Sequence, residues 1–433
     1  MKSGRNIFVF DFNKCVACNA CELACKFENK LDPDVNWRSV QSGNGSNHPD
    51  LPLHHLSLAC NHCETAVCLI NCPANAYSRD EKTGSVLIHE EKCIGCKYCI
   101  WICPYNAPKF NNKIGVIQKC THCIHKSESA GEYRPACVVA CPTGALDFEN
   151  RTGVSAIEND PQYFADFGLN PGIQIIPIRE KSYIPEEIKQ SLRSKIPTPD
   201  IRISSSSVSL RKDWSLAVFS FLSTVLFTFF VADLFDVLLL NKTIFLLGIC
   251  LAALASLQHL GKKQRALRSL LNIKNSWLSR EVFSFGGFAV FSLIFSYSEF
   301  YFSGLLALTF GLGLLVSMDM VYQVIPHSKR RFNSAHTILT GVFLSAFLLE
   351  LNVIWILLGV LKLVLYIGDR YRSWGRQSWV EKVFSSARVD LMLTIPLILW
   401  WISPPNLEMW ILLCLIAGEA IDRSEFYNNL NVK

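Results

Sequence analysis

The N-terminal stretch of this 433-residue sequence lacks an apolar signal core, and it has no twin-arginine pair. The opening residues MKSGRNIFVFDFNKC run directly into a strand-like segment instead. An exported chain with a disulfide framework is therefore not expected, because disulfides form and persist in oxidising compartments. The cysteines are predicted to stay reduced, in the cytoplasm.

Histidine is scarce in the second half of the chain, where only His259, His327 and His336 occur. All three fall near one predicted surface of that half. A b-type haem in a helical bundle needs histidines that face each other. No haem is therefore expected.

Charged residues make up only 18% of the chain, whereas 50% of the residues are hydrophobic and the mean hydropathy is +0.24. These values are high for a wholly soluble protein, so part of the chain is predicted to lie in lipid. The net charge of +6 could indicate a nucleic-acid partner. The basic residues after residue 210 fall between apolar stretches, however, where membrane topology explains them, and no nucleic-acid binding is expected.

Eight apolar segments predict an all-α transmembrane bundle of about eight helices, at 213–233, 242–260, 281–298, 300–321, 333–351, 352–369, 388–403 and 406–422. A spanning helix needs about 20 mainly apolar residues, so the last two segments are marginal. The alternative is a soluble helical core. It would have to bury eight helices that are apolar on all sides.

Lysine and arginine concentrate in every second connection between these segments. The basic connections contain Lys262, Lys263, Arg265, Arg268, Lys274, Arg280, Lys329, Arg330, Arg331, Arg370, Arg372, Arg376, Lys382 and Arg388. The opposite connections carry acidic residues, with Lys242 as the exception. The positive-inside rule therefore predicts a multi-pass protein of the plasma (inner) membrane, with the N-terminal domain and the C-terminus on the cytoplasmic side.

Sixteen of the 18 cysteines lie between Cys15 and Cys141, in four quartets. The first and third quartets share the spacing C-x2-C-x2-C-x3-C, and the other two have longer insertions. With this spacing, three thiolates of one loop bind one cluster, and the fourth cysteine binds the other cluster of a pair. Four 4Fe-4S clusters are predicted, with ligands Cys15, Cys18, Cys21, Cys25, Cys60, Cys63, Cys68, Cys72, Cys93, Cys96, Cys99, Cys103, Cys120, Cys123, Cys137 and Cys141.

Structural zinc is the alternative for these cysteines, since zinc also binds four thiolates. Zinc sites do not call for a third cysteine two residues after a C-x2-C pair, or for the proline that follows Cys72, Cys103 and Cys141. Several clusters in series indicate an electron conductor, because a series of one-electron centres can link a distant donor and acceptor.

The runs FVFDFNKCVACNACELACK, LSLACNHCETAVCLINCPANA, EKCIGCKYCIWICPYNAPKF and KCTHCIHK…RPACVVACPTGALDF resemble the four-cluster ferredoxin subunit of dimethyl sulfoxide reductase and related molybdopterin oxidoreductases. The resemblance covers about residues 6–150 and implies an α+β ferredoxin-like domain of two interlocked two-cluster halves. It also implies crossed ligand sets: Cys15, Cys18 and Cys21 with Cys141; Cys120, Cys123 and Cys137 with Cys25; Cys60, Cys63 and Cys68 with Cys103; and Cys93, Cys96 and Cys99 with Cys72.

The stretch LQHLGKKQRALRSLLNIKNSWLSREVFSFG at 257–286 resembles the membrane-anchor subunit of the same enzyme, and VYQVIP and GEAIDRSEFY show weaker similarity. Because the family normally keeps these subunits as separate chains, the protein is interpreted as a fusion of them. The expected domains are a four-cluster domain at 1–150, a cover segment and linker at 151–212, and a transmembrane quinone-interacting anchor at 213–433.

His259 is the first candidate for a quinone ligand, because the histidine of the family's HLG motif belongs to the quinol site and imidazole can accept a quinol proton. A histidine that caps helix carbonyls is the alternative. Arg280 and Glu281 could polarise a quinone carbonyl or carry protons, or could form a surface ion pair. Lys362, deep in an apolar segment, could be functional or could snorkel to the surface.

Glu419 and Arg423 are spaced i,i+4, so an intrahelical ion pair is the simplest interpretation, with a role in the quinone site as the alternative. Cys250 and Cys414 are interpreted as small apolar residues of the bundle.

The resemblance implies that quinol, with menaquinol as the expected carrier, gives electrons to four clusters and then to a separate molybdopterin-containing catalytic subunit. The expected partners are this subunit, the membrane quinone pool and the bilayer. One alternative is an electron-input module that reduces quinone from a soluble donor, and another is a purely structural anchor. Well-known family members place their clusters outside the cytoplasm, whereas the loop charges here predict the cytoplasmic side.

Overall fold

The structure is a computed structural model that describes residues 4–43, 54–126, 133–151, 164–179, 210–324, 333–371, 388–389, 391, 395–402 and 408–429. The polypeptide divides into two compact units. The first comprises Met1–Ser206, Gln264–Arg268 and Lys433, and the second comprises Ser207–Lys263 and Ser269–Val432. The segment PEEIKQSLRSK and most of the expected linker lie outside the described residues.

A three-stranded sheet with the order β8-β1-β9 organises the first unit. The central strand β1 (Arg5–Asp11) pairs antiparallel with β8 (Leu146–Arg151) and parallel with β9 (Ile173–Ile176). Its sequence RNIFVFD is rich in the β-branched and aromatic residues that favour strands. Phe8 and Phe10 on one face of the strand are 1% and 0% exposed, and Ile7 on the other face is 1% exposed, so both faces of the central strand are covered. The strand-like GIQIIPI segment is confirmed as the region of β9.

Three short antiparallel hairpins complete the described strands of this unit: β2 (Ser39–Gly43) with β3 (His54–Leu58), β4 (Tyr77–Arg79) with β5 (Val86–Ile88), and β6 (Lys109–Asn111) with β7 (Val116–Gln118).

Four short helices alternate with the strands, at α1 (Ala20–Glu28), α2 (Val67–Ile70), α3 (Tyr98–Trp101) and α4 (Ala136–Val139), and a 3₁₀ turn covers Ile124–Lys126. Each of the four helices contains the third cysteine of one quartet. This arrangement of hairpins and short helices is of the ferredoxin type.

The second unit is helical. Its helices are α5 (Leu210–Leu234), α6 (Lys242–Gln258), α7 (Trp277–Ser298), α8 (Tyr301–Gln323), α9 (Thr337–Leu348), α10 (Asn352–Tyr371), α11 (Ile395–Ile402) and α12 (Glu408–Asn429). Side chains cap two of the N-termini: Asn241 accepts from Thr243 N and Ile244 N at 3.1 Å, and Ser276 accepts from Ser279 N at 3.4 Å. The polar turn WLSR thus belongs to α7, which begins before the apolar segment predicted at 281–298.

Three helices of the described region are long and apolar enough to cross a membrane, at Asp213–Leu234, Trp277–Ser298 and Tyr301–Gln323. A fourth span results if Lys242–Gln258 and the 3₁₀ segment Lys263–Leu270 count as one bent span. Two shorter apolar stretches of helix in the described region, Thr337–Leu348 and Asn352–Gly368, fall below that length. The expected bundle of about eight spanning helices is therefore supported only in part.

Aromatic and small residues fill the interior of the second unit. The rings of Phe230 and Phe288 are fully buried, with centroids 5.6 Å apart and an interplanar angle of 89°. An added Cβ at Gly311 would lie 2.4 Å from the ring of Phe227, so only glycine fits there. Small residues let helices approach closely, and edge-to-face ring pairs add to the packing.

Candidate functional site

Three pockets of the first unit are each lined by three cysteines of one quartet and one cysteine of another. Their volumes are about 320, 400 and 300 Å³. In that order, the lining cysteines are Cys15, Cys18, Cys21 and Cys141; Cys60, Cys63, Cys68 and Cys103; and Cys72, Cys93, Cys96 and Cys99. The fold thus brings together the same crossed sets that the resemblance implies.

The fourth set is Cys25, Cys120, Cys123 and Cys137. The Asn29 side-chain amide lies 3.8 Å from both the Cys25 and the Cys123 sulfur. Burial raises the pKa of Cys25 to about 12, and the nearby Cys137 and Cys123 thiols also raise it. The positive charge of Arg38 acts to lower this pKa. These four side chains therefore share one buried neighbourhood.

The loops that carry the cysteines turn back on themselves through residues with positive φ. Ala17, Asn19, Lys97 and His122 have φ values of 54°, 59°, 62° and 59°, a region that residues other than glycine seldom adopt. Backbone amides point at sulfur as a result. His122 N donates to the Cys120 Sγ at 3.3 Å, and Ala76, outside these turns, donates to the Cys72 Sγ at 3.3 Å.

Two further amide contacts converge on one sulfur. Gly95 N and Ile117 N donate to the Cys93 Sγ at 3.4 and 3.5 Å. Hydrogen bonds to sulfur stabilise the negative charge of an iron–sulfur cluster and tune its potential. A protonated thiol gains little from such donors.

The four sets fit 4Fe-4S clusters better than single ions. A zinc ion would need its four sulfurs about 2.3 Å from one point, so its ligands would have to lie very close together. In the described part of the molecule, no three His, Cys, Asp or Glu side chains are close enough together to hold one metal ion. Burial raises the pKa of Cys103 to about 11, so the thiolate forms only when bound iron displaces the proton.

A buried arginine that was not predicted from the sequence lies among the ligand sets. Arg38 is 2% exposed, and its Nη1 donates to the Ser57 carbonyl and hydroxyl oxygens at 3.2 and 3.0 Å. The Ser57 hydroxyl is 3.2 Å from the Cys21 sulfur. Burial lowers the pKa of Arg38, but the nearby Cys137, Cys120, Cys21 and Cys25 raise it overall. Arg38 therefore acts on two ligand sets at once, although nothing in the run NWRSV marks it.

A second buried cation and a stacked histidine pair lie nearby. Lys119 is fully buried and donates to the carbonyl oxygens of Val86 and Cys120. The rings of His62 and His122 stack with centroids 3.6 Å apart. Both histidines precede a cysteine in C-x-H-C runs, a shared position that could have marked them in the sequence.

In the second unit, His259 is the residue directly after α6 and is half-buried. Arg280 donates from Nε to the Ile273 carbonyl at 3.0 Å and from Nη2 to the Lys274 carbonyl at 2.6 Å. Its guanidinium also lies 4.2 Å from the Trp277 ring. Arg280 thus fixes the loop before α7 through backbone carbonyls, and not through an ion pair with its described neighbour Glu281.

Glu281 is the fifth residue of α7 and is 7% exposed. The charged side chain that acts on its carboxyl group is Arg423, on α12. Glu281 is therefore a buried carboxyl group on which the charge of a buried guanidinium acts.

Lys362 does not snorkel, since its side chain is 0% exposed. Its Nζ lies 3.0 Å from Glu419 Oε2 and donates to Thr340 Oγ1 at 2.8 Å.

The expected i,i+4 ion pair between Glu419 and Arg423 is wrong. Arg423 instead donates to Ser220 Oγ and to the Ala335 carbonyl, both at 2.9 Å, so Glu419 and Arg423 each bond to groups outside α12.

More buried polar pairs accompany these residues, and none of them was predicted from the sequence. They are Arg388 with Asp422, Tyr366 with Glu425, His336 with Asp319, and Tyr322 with Tyr427. Their members are far apart in the sequence, so no spacing signal links them. His327 lies outside the described residues.

The two cysteines of the second unit stand apart from these polar groups. Cys250 is exposed on α6, and Cys414 is half-buried on α12. Neither lies in one of the four ligand sets.

Two protein families match the sequence. A profile described as a 4Fe-4S dicluster domain matches residues 52–151, and one described as the DMSO reductase anchor subunit (DmsC) matches residues 212–369. The first match includes the second, third and fourth cysteine quartets, and the second match lies on the helical unit.

Named relatives match the cysteine-rich part. The protein is 40% identical over 149 residues to a component of the anaerobic dimethyl sulfoxide reductase of Escherichia coli (strain K12), covering 33% of the present sequence and 71% of the relative. It is 36% identical over 148 residues to the thiosulfate reductase electron transfer subunit PhsB of Salmonella typhi, covering 33% and 74%. It is 32% identical over 208 residues to a component of the sulfite dehydrogenase of Allochromatium vinosum, covering 42% and 87%.

Proposed function

The protein belongs to the family of dimethyl sulfoxide reductase iron–sulfur subunits, with an anchor domain of the same enzyme in the same polypeptide, and we propose on this premise that it passes electrons from quinol through four 4Fe-4S clusters to a separate catalytic subunit. The observation that carries the proposal is the crossed grouping of twelve cysteines around three pockets, with a fourth set of four buried nearby, in a polypeptide that also has a membrane-anchor domain. Such a protein needs one-electron centres in series, because quinol supplies electrons at one end and the terminal substrate takes them at the other.

Quinol binds, on this proposal, beside His259 and Glu281, and menaquinol is the expected carrier. Quinol oxidation breaks two O–H bonds, so a site needs a proton acceptor as well as an electron acceptor. Imidazole and a buried carboxylate are suitable acceptors. The buried position of Glu281 beside Arg423 supports this role. In the membrane, the helical unit forms a multi-pass anchor of about eight helices, of which three or four meet the length and apolarity of a span.

The catalytic partner is, by family analogy, a molybdopterin enzyme that reduces a sulfoxide or a sulfur compound. The cluster domain faces the cytoplasm, since three basic connections of the sequence agree on that side. Protease added to the cytoplasmic face of oriented vesicles should cleave the first unit. Complete protection there would refute this orientation.

A second direction of electron flow has one specific observation in its favour. The relative from Allochromatium vinosum is named as part of a sulfite dehydrogenase, a name that implies oxidation of its substrate. In that direction a soluble donor would load the clusters and quinone would be reduced. The potentials of the clusters decide between the two, because static ligands do not fix the driving force.

The test is an electron-paramagnetic redox titration of the full-length protein in lipid nanodiscs, followed by mixing with a menaquinol analogue under anaerobic conditions. The proposal expects four cluster signals, with at least one cluster reduced by the quinol. Clusters that all titrate far below the quinone potential would support the opposite direction. An iron content well below sixteen atoms per polypeptide would refute the four-cluster assignment.

A further inference from the structure

Five buried charged side chains of the second unit form one group, which we call the ionic cluster: Lys362, Arg388, Glu419, Asp422 and Arg423. Their exposures are 0%, 0%, 2%, 3% and 6%. Ionisable residues inside a membrane protein are costly, and they are commonly functional. The proposed quinol site explains none of them except Arg423, through its action on Glu281.

Hydrogen bonds and ion pairs hold both carboxylates of the ionic cluster. Glu419 Oε2 accepts from Lys362 Nζ at 3.0 Å and from Thr340 Oγ1 at 2.9 Å. Asp422 pairs with Arg388 and accepts from Ser334 Oγ at 2.9 Å. The Lys362 ammonium also donates to the Ser334 carbonyl, so Ser334 links the two ion pairs.

Some charged atoms of the ionic cluster are buried without a hydrogen-bond partner among the described residues. Two of them are Glu419 Oε1 and Arg423 Nη2. The others are Nε and Nη1 of Arg388, whose guanidinium lies 3.9 Å from the centre of the Tyr366 ring. A buried charged group that lacks a partner is strongly destabilised, so such atoms in folded proteins are normally satisfied by water.

Glu419 and Arg423 line the same cavity, whereas Arg388 does not. The cavity has a volume of about 230 Å³, and its wall also includes Ser220, Thr224 and Thr340. Its wall contains hydroxyl groups and the unpaired atoms of Glu419 and Arg423, all of which could bind water. The cavity is therefore suited to hold water.

We propose that this cavity is a hydrated proton-transfer site, in which Glu419 receives protons that are released when quinol is oxidised. The inference rests on the proposed function, because it takes quinol as the source of the protons. Arg423 connects the two places, since it lines the cavity and acts on Glu281. Lys362 is a positioning residue that holds the Glu419 carboxylate against the cavity.

Electrons and protons balance in each transfer. A quinol O–H bond breaks, one electron reduces a 4Fe-4S cluster, and the proton passes to the Glu281 carboxylate. Water beside Arg423 then takes that proton and delivers it to Glu419, which restores Glu281 for the second proton. The pair of Ser334 and Asp422 lies next to Lys362 and offers the onward acceptor.

The test uses the full-length protein in lipid nanodiscs, with its clusters oxidised, mixed anaerobically with a menaquinol analogue. Cluster reduction is followed by absorbance in H₂O and in D₂O, and carboxyl bands are followed by infrared difference spectroscopy. Glu419→Gln should slow cluster reduction at least tenfold and remove a carboxyl band that changes with quinol oxidation. Reduction by dithionite should be unchanged, since it needs no proton transfer from quinol.

The matched control is Glu425→Gln. Glu425 is a buried carboxyl on the same helix, accepts from the Tyr366 hydroxyl at 2.9 Å and does not line the cavity. This variant should reduce its clusters at the wild-type rate. Equal rates in Glu419→Gln and wild type, with the infrared band retained, would overturn the inference.

Two further results separate the possible failures. If the menaquinol analogue does not reduce the wild-type clusters, the quinol proposal fails, and the proton site fails with it. If Glu419→Gln does not assemble, Glu419→Asp keeps a carboxylate near Lys362, and it should shift the infrared band and raise the solvent isotope effect. An unshifted band in Glu419→Asp would also overturn the inference.

Discussion

Replacing Lys362 by methionine is expected to destabilise the helical unit by about 3–5 kcal/mol. Methionine fills a similar volume but has no charge, so the substitution leaves Glu419 buried without its counter-ion. Of its two side-chain donors, the carboxylate would keep the Thr340 hydroxyl, which donates to it at 2.9 Å. The large cost follows because removing one partner of a buried ion pair leaves an uncompensated charge.

The geometry sets the scale of this effect. At the 3.0 Å separation of Lys362 Nζ and Glu419 Oε2, Coulomb's law gives an attraction of about 5.5 kcal/mol with an effective dielectric constant of about 20. The desolvation of the two ions offsets much of that attraction in the wild type. The double variant Lys362→Met/Glu419→Leu should therefore recover most of the lost stability, since it buries no unpaired charge.

The assay is unfolding of the full-length protein in mixed micelles with increasing sodium dodecyl sulfate, followed by circular dichroism of the helices. The double-mutant cycle should give a coupling energy of more than about 3 kcal/mol, because each single variant leaves an unpaired buried charge and the double variant leaves none. Lys242→Met, at the exposed start of α6, is the control and should change stability by less than about 0.5 kcal/mol. A loss below about 1 kcal/mol in Lys362→Met would contradict the buried ion pair.

Three other substitutions test the cluster and quinol sites. Cys141→Ala should remove about a quarter of the bound iron, because it takes one ligand from a single set of four; iron analysis and paramagnetic resonance measure this loss. Arg38→Gln should lower the reduction potentials of the clusters in the first and fourth sets by at least about 59 mV, which makes them tenfold harder to reduce. The reason is that the substitution removes a buried positive charge that acts on both sets. Redox titration measures the shift. Glu281→Gln should slow cluster reduction by quinol at least tenfold, with unchanged iron content, because it removes the first proton acceptor.

Each of these substitutions has a matched control. Cys250→Ala should keep all the iron, since Cys250 is exposed on α6 and outside the ligand sets. Lys113→Gln removes a charge whose side chain is 77% exposed, and all four potentials should stay at their wild-type values. Glu299 is exposed just after the C-terminal end of α7, so quinol should reduce the clusters of Glu299→Gln at the wild-type rate. A potential shift in Lys113→Gln as large as that in Arg38→Gln would show that burial of the charge is not the cause.

The cysteine sets could be anticipated from the sequence because their spacing is local. Three sulfurs that converge on one cubane must come from one short loop, and the C-x2-C-x2-C run meets that requirement directly. The crossing of the fourth cysteine came from the family resemblance and not from spacing. The partners of Glu419 were predicted wrongly, because spacing along one helix takes no account of Lys362 on another.

Arg38 shows the same limit in the first unit. Its neighbours in sequence are ordinary, and its effect on Cys21 and Cys137 arises only when β2 and β3 pair and place Ser57 beside its guanidinium. Hydropathy located the helices of the second unit but not all of their lengths, since α9 has only 12 residues within the apolar segment predicted at 333–351.

The sequence by itself determined that this protein binds iron–sulfur clusters and has a membrane-anchor region, because ligand spacing and mean hydropathy are properties of neighbouring residues. Tertiary structure alone decided which buried charges pair with each other and which face a cavity. Those choices depend on distances between helices that are remote in the sequence. In a medium of low dielectric constant, a difference of a few ångströms decides whether a charge is paired or must be hydrated.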